Sequence, residues 1–319
     1  MLKKLICGIA LLCAIVMLYA VDASAGKKIG VLVWSRETHY TEAASAVLEQ
    51  LKKEGFGEPS TQFVIENADG NKAKAAELAQ KFFASKMDLV IAVGTSAAIA
   101  AVQDIKSIPV VFSMVYDPVE SKIAKSWKSS GNNTTGTSSK VPMSLIINTL
   151  KQLSPVKRLA VLYTPGEKNS ELLLKDLEGL QVETQIKIIP VPLSRKEEVT
   201  SVISDVVGVA DAIYLSGSSI VGSTASMIAE TAAKAKVITV THLTDMVDKG
   251  ALLGVCANPH AEGLLTGIKA AKVLKGANPA SIAIEPLKKF DVTVNMKTVR
   301  IGGIEIPTAF MKLVTKTLD

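Results

Sequence analysis

From residue 26 onward the chain switches between two rhythms: short apolar runs, and stretches with apolar residues every three or four positions. Lys28 to Trp34 is an apolar, β-branched run that predicts a strand. Ala44, Val47, Leu48 and Leu51 then fall on one face of a helix. Gln62 to Glu66 reads as a strand, and Lys72 to Ser85 as a helix turned inward by Ala75, Leu78, Ala79 and Phe82. Asp88 to Val93 is apolar throughout, as expected of a strand covered on both faces. A helix over Ser96 to Asp104 and a strand over Pro109 to Phe112 continue the series. Strand and helix in alternation define a parallel sheet with right-handed crossovers.

Around Ser129 to Thr135 the chain turns polar and loop-like, and then the pattern restarts. Met143, Ile146, Ile147 and Leu150 form a helical face, Arg158 to Tyr163 a strand, and a further helix begins near Asn169. Gln185 to Val191 reads as a strand, and Val199, Val202, Ile203 and Val206 repeat the helical spacing. Buried strands at Asp211 to Leu215 and Val237 to Val240 flank a helix over Ser223 to Lys234. The restart is an internal repeat. Asp88 to Ser96, ending Gly94-Thr95-Ser96, aligns without gaps with Asp211 to Ser219, ending Gly217-Ser218-Ser219. Pro109 to Val119 aligns in the same order with Val237 to Val247, which places Asp117 opposite Asp245. The expectation is an α/β protein of two doubly wound parallel-sheet lobes.

In open parallel sheets the ligand crevice lies outside the carboxyl ends of the strands. Both Gly-hydroxyl-hydroxyl turns fall at such ends and open helices, where free N–H groups favour anions. Thr95, Ser96, Ser218 and Ser219 are therefore candidate contacts for a small carboxylate, with helix capping as their alternative role.

Composition narrows the function. The chain has 319 residues, 48% hydrophobic and 21% charged, enough for packed cores. Aromatics at 4% disfavour single-strand nucleic-acid binding. The basic residues are dispersed, as where Lys72, Lys74, Lys81 and Lys86 interleave with Glu77, so no nucleic-acid partner is expected. Lys3 and Lys4, the apolar run Leu5 to Val21 and the small-x-small triplet Ala23-Ser24-Ala25 form an export leader. Cleavage after Ala25 would leave a periplasmic chain; an uncleaved anchor is the alternative. A lipoprotein is disfavoured, because Cys7 and Cys13 follow Ile6 and Leu12. Only Cys256 remains after cleavage, among apolar neighbours, and reads as a core residue. His39, His242 and His260 lack metal-ligand spacing, and no metal or cofactor is expected. The chain has no Gly-x-Ser-x-Gly, His-Glu-x-x-His or Walker A sequence, and its first strand runs into Trp34-Ser35-Arg36-Glu37-Thr38-His39 rather than a glycine-rich turn. It is not expected to be an enzyme; the alternative is an exported α/β enzyme acting on a small anionic substrate.

Asp88 to Val119, with Ile-Ala-Val-Gly-Thr-Ser and Ile-Pro-Val-Val-Phe-Ser-Met-Val-Tyr-Asp-Pro-Val, resembles the ABC-transporter substrate-binding proteins of the family that includes the tryptophan/tyrosine-binding lipoproteins. Leu162 to Ser170, which contains Asn169 and Ser170, then Ala210 to Tyr214 and Lys289 to Thr298, extend the resemblance over nearly all of the mature chain. It implies a type I periplasmic-binding-protein fold, with a three-crossing hinge and a ligand in the cleft. Residues 26–138 plus 258–288 would form lobe 1, and 139–257 plus 289–319 lobe 2. Crossings are expected at Thr137 to Val141, Gly254 to Asn258 and Phe290 to Val294, with a helix at His260 to Lys275, a strand near Ile282 to Pro286 and a C-terminal helix at Thr308 to Thr317. Implied too are capture of a small polar or amino-acid-like solute, aromatic in some members, and its delivery by a monomer to a membrane permease with its ATPase subunit.

Two departures bear on the ligand. Tyr116-Asp117-Pro118-Val119 stands where aromatic-amino-acid binders of the family tend to have Thr-Asp-Pro-Val. The second-lobe turn Ser216-Gly217-Ser218-Ser219 has no carboxylate where those binders commonly offer one for a ligand ammonium. Asp117 and Asp245, the latter preceded by His242, are the remaining acidic candidates, with turn capping as the alternative. Trp34 and Tyr116, at strand ends, are placed to sandwich an apolar or ring-bearing ligand, with interlobe packing as the equal alternative for Trp34.

Overall fold

The computed structural model describes residues 26–319. The leader, its cleavage after Ala25 and the placement of Cys7 and Cys13 lie outside the described residues. The chain runs β1 (Lys27–Val33), α1 (Thr38–Lys53), β2 (Thr61–Asn67), α2 (Lys72–Ala84), β3 (Leu89–Val93), α3 (Thr95–Asp104), β4 (Val110–Val115) and β5 (Thr134–Ser138). There follow α4 (Met143–Leu153), β6 (Arg158–Tyr163), α5 (Lys168–Glu178), α6 (Gln181–Thr184), β7 (Lys187–Pro192), a 3-10 turn, α7 (Val199–Val206), β8 (Ala212–Leu215), α8 (Ser219–Lys234), β9 (Ile238–Thr241), α9 (Thr244–Asp248) and β10 (Leu253–Cys256). The last part is α10 (Pro259–Leu274), a second 3-10 turn, β11 (Glu285–Pro286), β12 (Asp291–Asn295), α11 (Met296–Gly302), α12 (Thr308–Met311) and β13 (Lys316–Leu318).

The strands form two sheets, in the orders β11-β5-β4-β3-β1-β2 and β13-β12-β10-β9-β8-β6-β7. All pairings are parallel except β10 with β12. Helices cover both faces, so β3, β4, β8 and β9 are buried along their whole length. Ile29, Leu32, Phe82, Ile91 and Phe112 centre the first core. The second sheet has a core on each face, one around Ile146, Leu159 and Tyr214, the other around Leu162, Ile203 and Ile228. The chain passes between sheets after β5, after β10 and after β11, the last return spanning residues 287–290.

The repeat has a physical counterpart at the foot of each sheet. Asp88, before β3, accepts the Lys28 N–H at 2.8 Å and pairs with the Lys27 ammonium at 2.9 Å. Asp211, before β8, accepts the Lys157 and Arg158 N–H groups at 2.9 and 2.8 Å and pairs with the Arg158 guanidinium at 2.7 Å. In both lobes the aspartate fixes the start of the neighbouring strand.

Four expectations shift. The polar stretch at Ser129 to Thr135 runs into a fifth strand, β5, whose five residues are all buried. The expected C-terminal helix Thr308 to Thr317 is one turn, α12, followed by β13 along the edge of the second sheet. The segments expected as the second and third crossings largely belong to β10 and β12, so the passages themselves are shorter. The helix expected from Ser223 begins four residues earlier, at Ser219.

Candidate functional site

The carboxyl ends of the two sheets face each other across a cavity. The first lobe contributes His39 and Tyr40 from the start of α1, Thr95 from α3, and Met114 and Tyr116 from the end of β4. Ser139 enters from the first crossing; Asn169, Gly217, His242 and Leu243 come from the second lobe. The cavity volume is about 20 Å³. That is room for roughly one water. Admission of a larger solute therefore requires the lobes to part.

Direct lobe-to-lobe bonds surround the cavity. The Trp34 indole N–H donates to Ser219 Oγ at 3.2 Å, and the Tyr116 hydroxyl donates to Asp176 at 2.8 Å. Lys140, from the crossing, sits 3.0 Å from Asp117 and 2.7 Å from Asp176. His39 Nδ1 lies 2.9 Å from Asp245 Oδ1, with both side chains 3% exposed. Burial pushes the Asp245 carboxyl up, but His39 and Lys249 outweigh it and leave it below its ordinary value. His39 Nε2 is buried and meets no hydrogen-bond partner. Among the described residues, no hydroxyl or thiol bonds to this imidazole for activation as a nucleophile.

A second imidazole is tuned differently. His242 Nδ1 is 3.0 Å from the Tyr214 hydroxyl, whose ring stacks on it at 6.0 Å between centroids. Burial, with His39 adding to it, pushes His242 down to about 3, so the ring is neutral at physiological pH. The Tyr214 hydroxyl is fully buried and strongly held in its protonated form by burial. A buried hydroxyl with one partner is satisfied by donating to it. His242 then carries its proton on Nε2, at the cavity.

The two helix starts that align in sequence are not equivalent. At α3 the N-cap is Gly94, which offers no side-chain cap, and Thr95 Oγ1 instead accepts the Tyr116 N–H at 3.1 Å. The first-turn N–H groups of Ser96 and Ala97 have no protein acceptor among the described residues. At α8, Ser218 Oγ caps its own helix through the Val221 N–H, and the Ser219 N–H is taken by the Glu167 carboxylate at 3.0 and 3.2 Å. Burial pushes Glu167 up from its ordinary value, and Glu37 adds to this while the Ser219 bonds oppose it. The Tyr40 hydroxyl, buried first of all, also feels Glu37, Glu167 and Asp245. The second-lobe turn, which carries no carboxylate of its own, is thus supplied with one by the β6–α5 connection.

Of the twelve residues expected at the site, Thr95, Tyr116, Asn169, Gly217 and His242 line the cavity. The Asn169 amide is fixed by donating to Gly217 O at 2.7 Å. Asp245 stands behind His39, Trp34 and Ser219 form a lobe contact, and Ser218 caps its own helix. Ser96 faces an outer groove with Lys72, Lys122 and Lys168. Asp117 accepts the Val119 and Glu120 N–H groups at 3.0 Å, a turn cap. Ser170 closes the Thr164–Glu167 turn with its hydroxyl. His39, Tyr40, Met114, Ser139 and Leu243 were not in the sequence-derived set; the alignment placed Met114 and Leu243 beside Tyr116 and Thr244, the one signal that pointed to them. Cys256 is buried, which pushes its thiol well up. Among the described residues no cluster of three or more His, Cys, Asp or Glu could hold a metal, and no helix is long and apolar enough to cross a membrane.

Two doubly wound lobes, three crossings and a polar cavity walled from both sides define a type I periplasmic-binding-protein fold. The family model for ABC transporter substrate binding proteins matches residues 28–318, and the chain belongs to that family. It is 25% identical over 281 residues to the tyrosine-binding protein of Clostridioides difficile (strain R20291), covering 88% of this chain and 81% of that one. A Streptococcus pneumonia ABC domain in complex with L-Trp is 25% identical, with a TM-score of 0.87 over 92% of this chain and 100% of the other. The ligand-free, open structure of a substrate-binding protein with adhesive properties from Clostridium difficile is 26% identical, with a TM-score of 0.72 over 92% and 99%.

Proposed function

We propose that this protein is the exported receptor of an ABC importer, and that it captures an L-amino acid with an aromatic side chain between its lobes for delivery to a permease with its ATPase. The observation that carries the ligand class is the opposed polarity of the two helix starts. The α3 N-terminus offers unpaired N–H groups beside Thr95, which suit a carboxylate. The α8 N-terminus is already neutralised by Glu167, and Glu37 and Asp245 add negative charge around Tyr40. A zwitterion satisfies both ends. Tyr40, Met114, Tyr116 and Leu243 supply the apolar and aromatic wall for a ring. Relatives that are tyrosine-binding or hold L-Trp support this choice. The leader at residues 1–25 supports export, and solute capture by hinge closure follows from the cavity being too small to admit a solute while the lobes touch.

Calorimetric titration tests the reading with L-tryptophan, L-tyrosine, tryptamine and indole-3-propionate. The expected order is tight binding of an intact amino acid and loss of most affinity in both analogues, since each leaves one set of buried polar groups unpaired. Equal binding of tryptamine and L-tryptophan would refute the carboxylate assignment. Turnover of any of them would replace transport by catalysis.

A further inference from the structure

The ligand-facing end of β4 is not a regular strand. Its register against β5 jumps from Phe112 opposite Gly136 to Val115 opposite Ser138, so Ser113 and Met114 share the single partner position of Thr137. Such a bulge re-aims the side chains that follow it. Met114 adopts φ +56°, a left-handed conformation that non-glycine residues avoid, and its side chain lines the cavity. Its N–H, turned out of the ladder, donates to Glu262 Oε1 at 2.8 Å. The Thr137 hydroxyl donates to the same oxygen at 3.0 Å. One turn further along α10, Thr266 Oγ1 lies 2.7 Å from Thr137 Oγ1 and 2.9 Å from Ser113 Oγ.

We propose that Glu262, which does not itself line the cavity, is the positioning residue that holds the β4 bulge and so aims Met114 and Tyr116 at the ligand. The assignment rests on the cleft being the ligand site. Glu262 is fully buried, and its Oε2 finds no partner. Burial pushes it up to about 7, opposed only by the Met114 and Thr137 bonds. The groups facing it are the Met114 amide and the Thr137 hydroxyl, and no charged side chain contributes to the shift. For packing alone, a leucine would fill this volume without desolvating a carboxyl. What leucine cannot do is accept the Met114 N–H. The position of the clamp adds to the argument. Thr137 lies on the strand that leads into the first crossing, and Glu262 lies in the first turns of the helix that receives the second. The cleft wall is thereby tied to the strand that leads into the first crossing and to the helix that receives the second.

Amide exchange and methyl NMR of the protein, with L-tryptophan titration, test this using Glu262→Gln and Glu262→Ala. Glutamine keeps an acceptor at Oε1; alanine removes it. The Met114 amide is expected to stay protected in Glu262→Gln and to lose protection in Glu262→Ala, with its methyl resonance shifted. L-tryptophan affinity should hold in the glutamine variant and fall about threefold to tenfold in the alanine variant, measured well below melting. In the parent, the Met114 amide resonance should titrate with Glu262 around pH 7, and this dependence should vanish in Glu262→Gln, a readout that survives if the alanine variant does not fold. A purely structural glutamate would lower the melting temperature of Glu262→Ala yet leave the Met114 resonances in place, and that result overturns the proposal. So does a shifted methyl with unchanged affinity. Failure of the parent to bind L-tryptophan would count against the ligand class, while the Met114 resonances still decide the clamp.

Discussion

Replacing Gly94 by alanine strikes the point where β3 hands over to the α3 helix start. Gly94 has φ +103° and ψ +148°, a region essentially reserved for glycine. A Cβ there would lie 2.8 Å from Trp34 Cβ and 3.1 Å from Tyr40 Cε1. Neither neighbour has room to withdraw: Trp34 is 3% exposed and bonded to Ser219, and Tyr40 is 5% exposed. The backbone penalty is about 1–3 kcal/mol. Overpacking adds about 1–3 kcal/mol. Gly55 provides the control, since it has φ +93° and nothing within 4 Å of a built Cβ, so its alanine variant carries the backbone penalty alone. Both tryptophans, Trp34 and Trp127, pack in the first-lobe core, so intrinsic fluorescence during urea unfolding follows that lobe. Gly94→Ala should be less stable than Gly55→Ala by the overpacking contribution, about 1–3 kcal/mol. Its native emission should also shift as the Trp34–Ser219 bond is disturbed. Equal stabilities of the two variants would show that α3 and its neighbours yield freely, and would refute the claim that this corner is rigid.

Three further outcomes follow from buried groups. The Glu262 carboxyl is raised from 4.5 to about 7, so its contribution favours the folded state at low pH and is lost as pH rises through that interval. The loss amounts to about 3 kcal/mol, and thermal melts of Glu262→Gln between pH 5 and pH 8 should fall less steeply than those of the parent; parallel curves would refute it. Asp245 acts in the opposite sense: its carboxyl is lowered from 3.8, so its contribution is present above that value and is lost as pH falls through the lowered one, and Asp245→Asn should lose stability at neutral pH yet converge on the parent in acid. Tyr214→Phe frees His242 Nδ1, and ¹⁵N imidazole shifts should show mixed tautomers with L-tryptophan binding weakened about threefold to tenfold; an unchanged tautomer would refute the donor assignment.

The alternation of strand and helix was legible because covered parallel strands are apolar throughout and their helices amphipathic, as in Asp88 to Val93 and Lys72 to Ser85. β5 escaped for the converse reason. Its Thr134-Thr135-Gly136-Thr137-Ser138 is polar in sequence, yet its hydroxyls are satisfied inside by Asn132, Ile282 O, Glu262 and Tyr116 O. Two of these partners, Ile282 and Glu262, lie more than a hundred residues away, where no local pattern reaches. β13 was missed because Thr315 to Leu318 is short and continues a stretch with helical spacing. At the site, the carboxyl ends of the strands were found from the repeat, which brought Thr95, Tyr116, Gly217 and His242 into view. His39 and Tyr40 were passed over because they open an amphipathic helix, and Glu167 because it reaches its partner Ser219 from a neighbouring connection.

The asymmetry of the two helix starts also bears on how closure is driven. Trp34–Ser219, His39–Asp245 and Tyr116–Asp176 join lobe to lobe without a bridging solute. Each such bond stabilises the closed arrangement itself, and the apparent affinity of a clamp scales with the fraction of molecules able to adopt the binding-competent state. On the proposed reading, ligand selectivity comes from what the lobe contacts leave unsatisfied. On one side these are the α3 N–H groups beside Thr95; on the other is His39 Nε2, which lines the cavity buried without a hydrogen-bond partner among the described residues. A solute that supplied only apolar area would leave those groups desolvated and unpaired, a cost the proposed amino-acid ligand avoids by bonding to them as the lobes meet. On that reading, the lobe contacts set how easily the clamp shuts, and the leftover polar groups set what it shuts upon.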